Sequence, residues 1–165
     1  MRWIPITIIL IILSCVTLFV VHQYKNSKHF PLALLTMLYL IGISAILFTP
    51  ISIDGLSVQI LPPGIGRVNE TRLYFHDVGF FENIILTIPL GMIIKKSVPQ
   101  IPLLILAVFG IICSSGFEIA QYYLSHYFLI NRTSDINDVI ANTTGIIIGG
   151  LLIIIFSQFK SRIDK

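Results

Sequence analysis

Residues 132–150 read RTSDINDVIANTTGIIIGG, and how this stretch folds decides how the rest of the chain is read. Acid and amide side chains enter a strongly apolar segment here in helical register. Asp135, Asp138 and Asn142 stand at i, i+3 and i+7, on one helix face, and Gly145 and Gly149 carry that face downward. A polar patch thus runs into a groove of small residues. Charged groups inside a membrane span are costly, so they mark function by default and make the remaining chain their scaffold. The same residues also read as a water-exposed helix start, with Ser134 as N-cap and two aspartates at the positive end of the dipole.

Composition places the chain in a membrane. Of 165 residues, 55% are hydrophobic and only 12% charged, and the mean hydropathy is +0.91. A soluble domain carries about 25% charged residues, so this chain cannot cover itself in water. The net charge of +3 does not point to nucleic acid. The basic residues sit in short runs between apolar segments, where they set topology. Cys15 and Cys113 fall inside apolar runs and read as small buried hydrophobes, with no disulfide framework or metal cluster.

Five apolar runs follow in order. Residues 1–30 supply a first transmembrane helix, Ile4 to Val21, and a basic loop with His22, Lys25 and Lys28. A signal peptide would carry its stronger charge before the core rather than after it. Pro31 to Pro50 is a second run, with Gly42, Ser44 and Ala45 available for close packing. Residues 51–79 form a long loop rich in turn formers, Asp54-Gly55, Pro62-Pro63-Gly64 and Gly66, in which alternating Leu56, Val58 and Ile60 suit an interface. Phe80 to Ile94 falls short of the roughly 20 residues of a straight span, so either the bilayer thins or the helix borrows residues from Asp77 onward. Pro89 should kink it. After Pro102 a fourth run continues to about Tyr123, and Tyr122, Tyr123, Tyr127 and Phe128 form an interfacial aromatic belt at its end. Val139 to Phe156 is the fifth, ending in Lys160, Arg162 and Lys165. The expected fold is an all-α integral membrane protein, a bundle of about five transmembrane helices, with residues 31–160 as its helical membrane domain.

Sorting the loops by side puts Lys25, Lys28, Lys95, Lys96, Lys160, Arg162 and Lys165 together, against Arg2, Arg67, Arg72 and Arg132. The positive-inside bias then sets the N-terminus outside and the C-terminus in the cytoplasm. Asp54, Glu70, Asp77, Glu82, Glu118, Asp135 and Asp138 fall in the outer half, leaving Asp164 inside. Glu82 and Asn83 open span three, Glu118 and Gln121 share a face near the outer end of span four with Ser114 and Ser115 one turn below, and Arg132 to Asn142 open span five. With span four ending near Tyr123, Glu118 lies roughly 8 Å inside the helix end. A carboxylate at that depth should be paired, protonated or facing a wet cavity, and Arg132 is the cation within reach.

These residues resemble the VanZ-like membrane proteins. The motifs that carry the resemblance are Asn83 with Pro89-Leu90-Gly91, then Ser115 with Glu118 and Gln121, then Arg132, Asp135, Asp138, Asn142 and Gly145, across roughly residues 49 to 150. The naming member of that family is associated with resistance to the glycopeptide antibiotic teicoplanin. The resemblance implies a small bacterial helical membrane protein linked to the cell envelope. One departure is Thr87-Ile88, where a more aromatic residue is expected before the proline.

What is absent limits the chemistry: there is no His/Cys ligand set, no phosphate-cradling glycine loop and no nucleophile with an evident base. Glu118, Asp135 and Asp138 are the candidate acid and base groups, since carboxylates at different depths can divide those roles. Asn83, Gln121, Arg132 and Asn142 are candidate binding residues, with Arg132 suited to a phosphate or carboxylate. No cofactor is expected, although aspartates can hold Mg²⁺ or Ca²⁺ through oxygen. Two functions remain open. One is a non-catalytic envelope protein whose outer-leaflet polar site binds a lipid, a cell-wall precursor or a lipophilic glycopeptide. The other is an integral membrane enzyme doing carboxylate-assisted acid/base chemistry on such a headgroup.

Overall fold

The computed structural model describes residues 1–54 and 56–163. Gly55, Asp164 and Lys165, together with the Asp54 side chain, lie outside the described residues, so the Asp54-Gly55 turn and the sides assigned to Asp54, Asp164 and Lys165 do too. Among the described residues five helices are long and apolar enough to cross a membrane: α1 (Ile4–Tyr24), α2 (Phe30–Phe48), α3 (Val78–Ser97), α4 (Leu103–Phe128) and α5 (Ile136–Ile163). The chain is a multi-pass, all-α membrane protein. Their outward side chains are apolar, with Leu18 at 71%, Leu104 at 74% and Phe156 at 69% exposed. Such a surface suits acyl chains.

The helix limits refine the sequence reading. Span three does borrow from Asp77, because α3 starts at Val78 and its 20 residues reach about 30 Å, the thickness of the hydrocarbon core. Span four does not stop at Tyr123. It runs to Phe128 and ends where Leu129 turns left-handed at φ 58°, so its tyrosines are helical rather than trailing. Glu118 is therefore ten residues, or about 15 Å, from the helix end, twice the expected depth. The long loop is also less irregular than its composition suggests. It holds an antiparallel hairpin of β1 (Ile51–Asp54) and β2 (Ser57–Ile60), then a short strand β3 (Val68–Asn69) that pairs with β4 (Ser134–Asp135).

The chain divides into two compact units, Met1–Val68 with Ile119–Ser134 and Asn69–Glu118 with Asp135–Lys165. In the first, α1 packs on α2. Gln121 donates to the Leu47 carbonyl at 3.0 Å, and Arg132 donates from Nη1 to the Ile51 carbonyl at 2.7 Å. Asn131 staples the loop before β3, donating to the Pro62 carbonyl and accepting from the Gly66 amide. Gly66 is obligatory there: its φ is +73°, and a Cβ would stand 1.9 Å from the Arg132 carbonyl oxygen.

In the second unit α3 and α5 run side by side at backbone contact. A Cβ on Gly91 would meet the Ile146 carbonyl oxygen at 2.0 Å, one on Gly145 the Ile84 oxygen at 2.2 Å, and one on Gly149 the Ile88 oxygen at 2.1 Å. The Gly145/Gly149 face is thus taken by α3. The physical reason is Gly91, which supplies the reciprocal notch that a small-residue groove needs on its partner. Gly110 and Gly150 are what α5 shares with α4, through Thr143 and through Leu106.

Candidate functional site

α4 buries a polar stripe. Leu106, Gly110, Ser114, Glu118, Gln121 and Ser125 succeed one another at spacings of three and four, and all are buried. Within the second unit the upper part of this stripe faces the start of α5, which runs antiparallel to it, so the two helices meet in rungs. Glu118 accepts the Asp135 amide proton at 2.8 Å. Below it, Ser114 donates to the Asp138 carbonyl at 3.4 Å and accepts from Asn142 Nδ2 at 3.0 Å. Glu118 is 6% exposed and Asn142 2%.

Asp135, not Ser134, caps α5. Its Oδ1 accepts the Asn137 amide at 2.8 Å, the bond an N-cap makes to the second helical residue. Ser134 is occupied elsewhere, its amide donating to the Arg67 carbonyl in the β3–β4 ladder. Nor is this helix start open to water, since Asp135 is 5% and Asn137 1% exposed. Asp135 and Glu118 both bring carboxylate oxygens to the positive end of the α5 dipole, where negative charge is favoured.

Asp135 then gathers the preceding loop. Its Oδ1 takes donors from Asn69 Nδ2 at 2.8 Å and Asn137 Nδ2 at 2.7 Å as well as the Asn137 amide, and its Oδ2 takes the Tyr74 hydroxyl. Three of these donors crowd Oδ1 and one meets Oδ2, so the carboxylate is held by the protein's own groups. Asn137 is bound on both its oxygen and its nitrogen, accepting the Tyr74 amide and donating to the Arg72 carbonyl. The Tyr74 phenol is pushed up to about 12, first by its bond to Asp135, then by partial burial and the charges of Asp135 and Asp138.

Thr87 ties α3 to this region. Its hydroxyl, 1% exposed, lies 2.8 Å from the Asn83 carbonyl and 2.9 Å from the Asn142 carbonyl. The departure from an aromatic residue at this position thus leaves a hydroxyl that links two spans. Two buried atoms meet no hydrogen-bond partner among the described residues, Asn142 Oδ1 and Thr143 Oγ1.

The structure therefore brings Glu118, Asp135, Asp138 and Asn142 together around the start of α5, with Asn83 contributing its carbonyl to Thr87 nearby on α3. Gln121 and Arg132 belong to the first unit, where each donates to a backbone carbonyl as described. Among the described residues no three His, Cys, Asp or Glu side chains group closely enough to hold a metal ion. Sequence reasoning missed Tyr74, Asn69 and Asn137. Only Asn137 carried a signal, an amide set between two aspartates in D-I-N-D.

No curated protein and no solved structure matches this chain. The VanZ/LLP1 family profile matches residues 6–157, which adds α1 and α2 to the stretch whose motifs carried the resemblance. With Asn83, Pro89-Leu90-Gly91, Glu118, Asp135, Asp138, Asn142 and Gly145 now placed on α3, α4 and the start of α5, the chain belongs to the VanZ/LLP1 family.

Proposed function

We propose that this protein lies in the bacterial cell membrane with its N-terminus outside and its C-terminus in the cytoplasm, and that its outer-leaflet polar site binds the headgroup of a lipid, a cell-wall precursor or a lipophilic glycopeptide. The observation that carries this reading is the unpartnered Asn142 Oδ1, buried beside Ser114 and one residue from unpartnered Thr143 Oγ1. An acceptor kept dry without a donor costs about 1 to 3 kcal/mol, so its retention calls for something that donates to it. Glu118, one turn above Ser114 on the same face of α4, puts a carboxylate on the same side. The ligand class is accordingly donor-rich, bearing hydroxyl or ammonium groups. Glycopeptide binding of this kind is the route by which such a protein would bear on teicoplanin resistance.

Asp135 is a support in this reading, because its carboxylate is held by four donors of the protein itself. The test is purification in mild detergent with labelled envelope lipids, comparing wild type with Asn142→Leu and Glu118→Gln. Stoichiometric retention by wild type, lost in both variants, is the expected result. Conversion of the lipid would make the protein an enzyme instead. Retention unchanged in both variants would remove the site.

A further inference from the structure

The register of the β1–β2 hairpin separates two faces. Ile51 pairs with Ile60 and Ile53 with Val58, while Ser52 pairs with Gln59. Cross-strand partners project to the same side and successive residues alternate, so Ile51, Ile53, Val58 and Ile60 share one face, opposite Ser52 and Gln59. The apolar face is uncovered beyond half-buried Ile51: Ile53 is 44%, Ile60 65% and Val58 68% exposed, and Leu56 beside the turn is fully so. A two-stranded hairpin is marginal in water even without such a face.

Its roots show what covers it. Just two residues separate β1 from α2, a spanning helix. Two arginines hold the base, Arg132 on the Ile51 carbonyl and Arg2 on the Leu61 carbonyl, the latter at 2.5 Å. Gln121 on the Leu47 carbonyl sets the last turns of α4 level with the end of α2. Those turns carry an exposed ring ladder, with Tyr122 against His126 and Tyr123 stacked on Tyr127. Trp3 follows Arg2 at the start of α1. Aromatic rings with polar tips and arginines collect at the headgroup level, so every element at the hairpin's root belongs to the membrane boundary.

We infer that the hairpin lies along the membrane surface, with Ile51, Ile53, Val58 and Ile60 inserted among the lipids of the leaflet in which α2 ends. The occupant of its apolar face is lipid, because that face continues from a spanning helix and is flanked by cations suited to phosphate. Polar Ser52 and Gln59 remain toward water.

The single tryptophan makes a direct test available. In full-length protein carrying Trp3→Phe, reconstituted into phosphatidylcholine–phosphatidylglycerol vesicles, Val58→Trp and Gln59→Trp are compared, with Ile60→Trp as a second reporter of the apolar face and circular dichroism confirming the helices. Val58→Trp and Ile60→Trp should emit at shorter wavelength and be quenched severalfold by lipids brominated near the top of their chains, with little effect of iodide. Gln59→Trp should show the reverse. Equal iodide quenching of both faces would overturn the inference by placing the hairpin in water. Shielding of Val58→Trp from both quenchers would overturn it in favour of a protein, such as a second copy, on that face.

Discussion

Gly149→Ala should separate a packed helix pair from a lipid-facing groove. The added Cβ would stand 2.1 Å from the Ile88 carbonyl oxygen and 2.8 Å from the Met92 nitrogen, where ordinary contact begins at 3.4 Å. Both neighbours are backbone, so no side chain can turn aside, and α5 must retreat from α3 by about 1.3 Å. Overpacking of this kind costs about 1 to 3 kcal/mol. The retreat also stretches the Thr87–Asn142 bond, worth about 1 kcal/mol, while alanine returns up to about 1 kcal/mol of helix propensity. The net loss is about 1 to 3 kcal/mol. Gly42 and Gly116 are the controls, since a Cβ on either meets nothing within 4 Å, and alanine there should be neutral or slightly stabilising. Unfolding by sodium dodecyl sulfate from mild detergent, followed by circular dichroism, reads the difference. If Gly149→Ala unfolds at the same detergent fraction as Gly116→Ala, the close approach of α3 and α5 is refuted.

Lys95 and Lys96 should behave differently although they are neighbours: Lys95 is buried and donates to the Pro99 and Ile101 carbonyls at 2.7 Å each, whereas Lys96 is exposed. Lys95→Met should cost about 2 kcal/mol in the same unfolding assay, and Lys96→Met less than about 0.5 kcal/mol. Tyr74, with its phenol raised from 10.0 to about 12, stabilises the fold fully below pH 10 and loses that contribution as pH rises through 12. Wild type should therefore weaken more than Tyr74→Phe across that window, and Asp135→Asn should bring the late tyrosinate absorbance to lower pH. Reporter fusions after Lys96 and Arg162 should read cytoplasm and those after Gly66 and Thr133 outside. A cytoplasmic readout at Thr133 would contradict an outer site.

The spans were legible because each is an apolar run bounded by charge or proline, and membrane burial leaves few other ways to satisfy the backbone. The polar residues that converge near the start of α5 were legible for the same reason, as costly groups in costly places. What failed was choice among equals. Ser134 and Asp135 are adjacent, and both are good caps. The β3–β4 ladder decides between them by engaging the Ser134 amide with Arg67, far away in sequence. YYLSHYF reads equally as a belt or as two more helical turns, and the left-handed Leu129 sets the end. Gly91 was read with Pro89 as part of a family motif, so its role as a notch for α5 stayed hidden until the glycines could be paired across helices. Lys95 and Lys96 carry the same topological signal, and only geometry shows that one of them also closes the α3–α4 turn.

Asp135 and Asn142 stand on one sequence face but should respond to substitution in opposite ways. Asp135→Ala leaves the buried Asn137 donors without their acceptor, and each buried donor so stranded costs about 1 to 3 kcal/mol, while the more exposed Asn69 and Tyr74 turn to water. That loss is a large fraction of the stability of a marginally stable protein. Asn142→Leu is close in shape and removes an oxygen that no protein group satisfies, at the expense of one 3.0 Å bond to Ser114. Its fold should be unchanged or firmer by up to about 2 kcal/mol, while lipid retention disappears, the exchange of stability for function that binding sites commonly make. The comparison needs both readouts on the same preparations, detergent-induced unfolding and bound labelled lipid. Should Asn142→Leu lose more than about 2 kcal/mol, the amide would be holding α4 to α5 rather than awaiting a ligand, and the binding site would have lost its principal support.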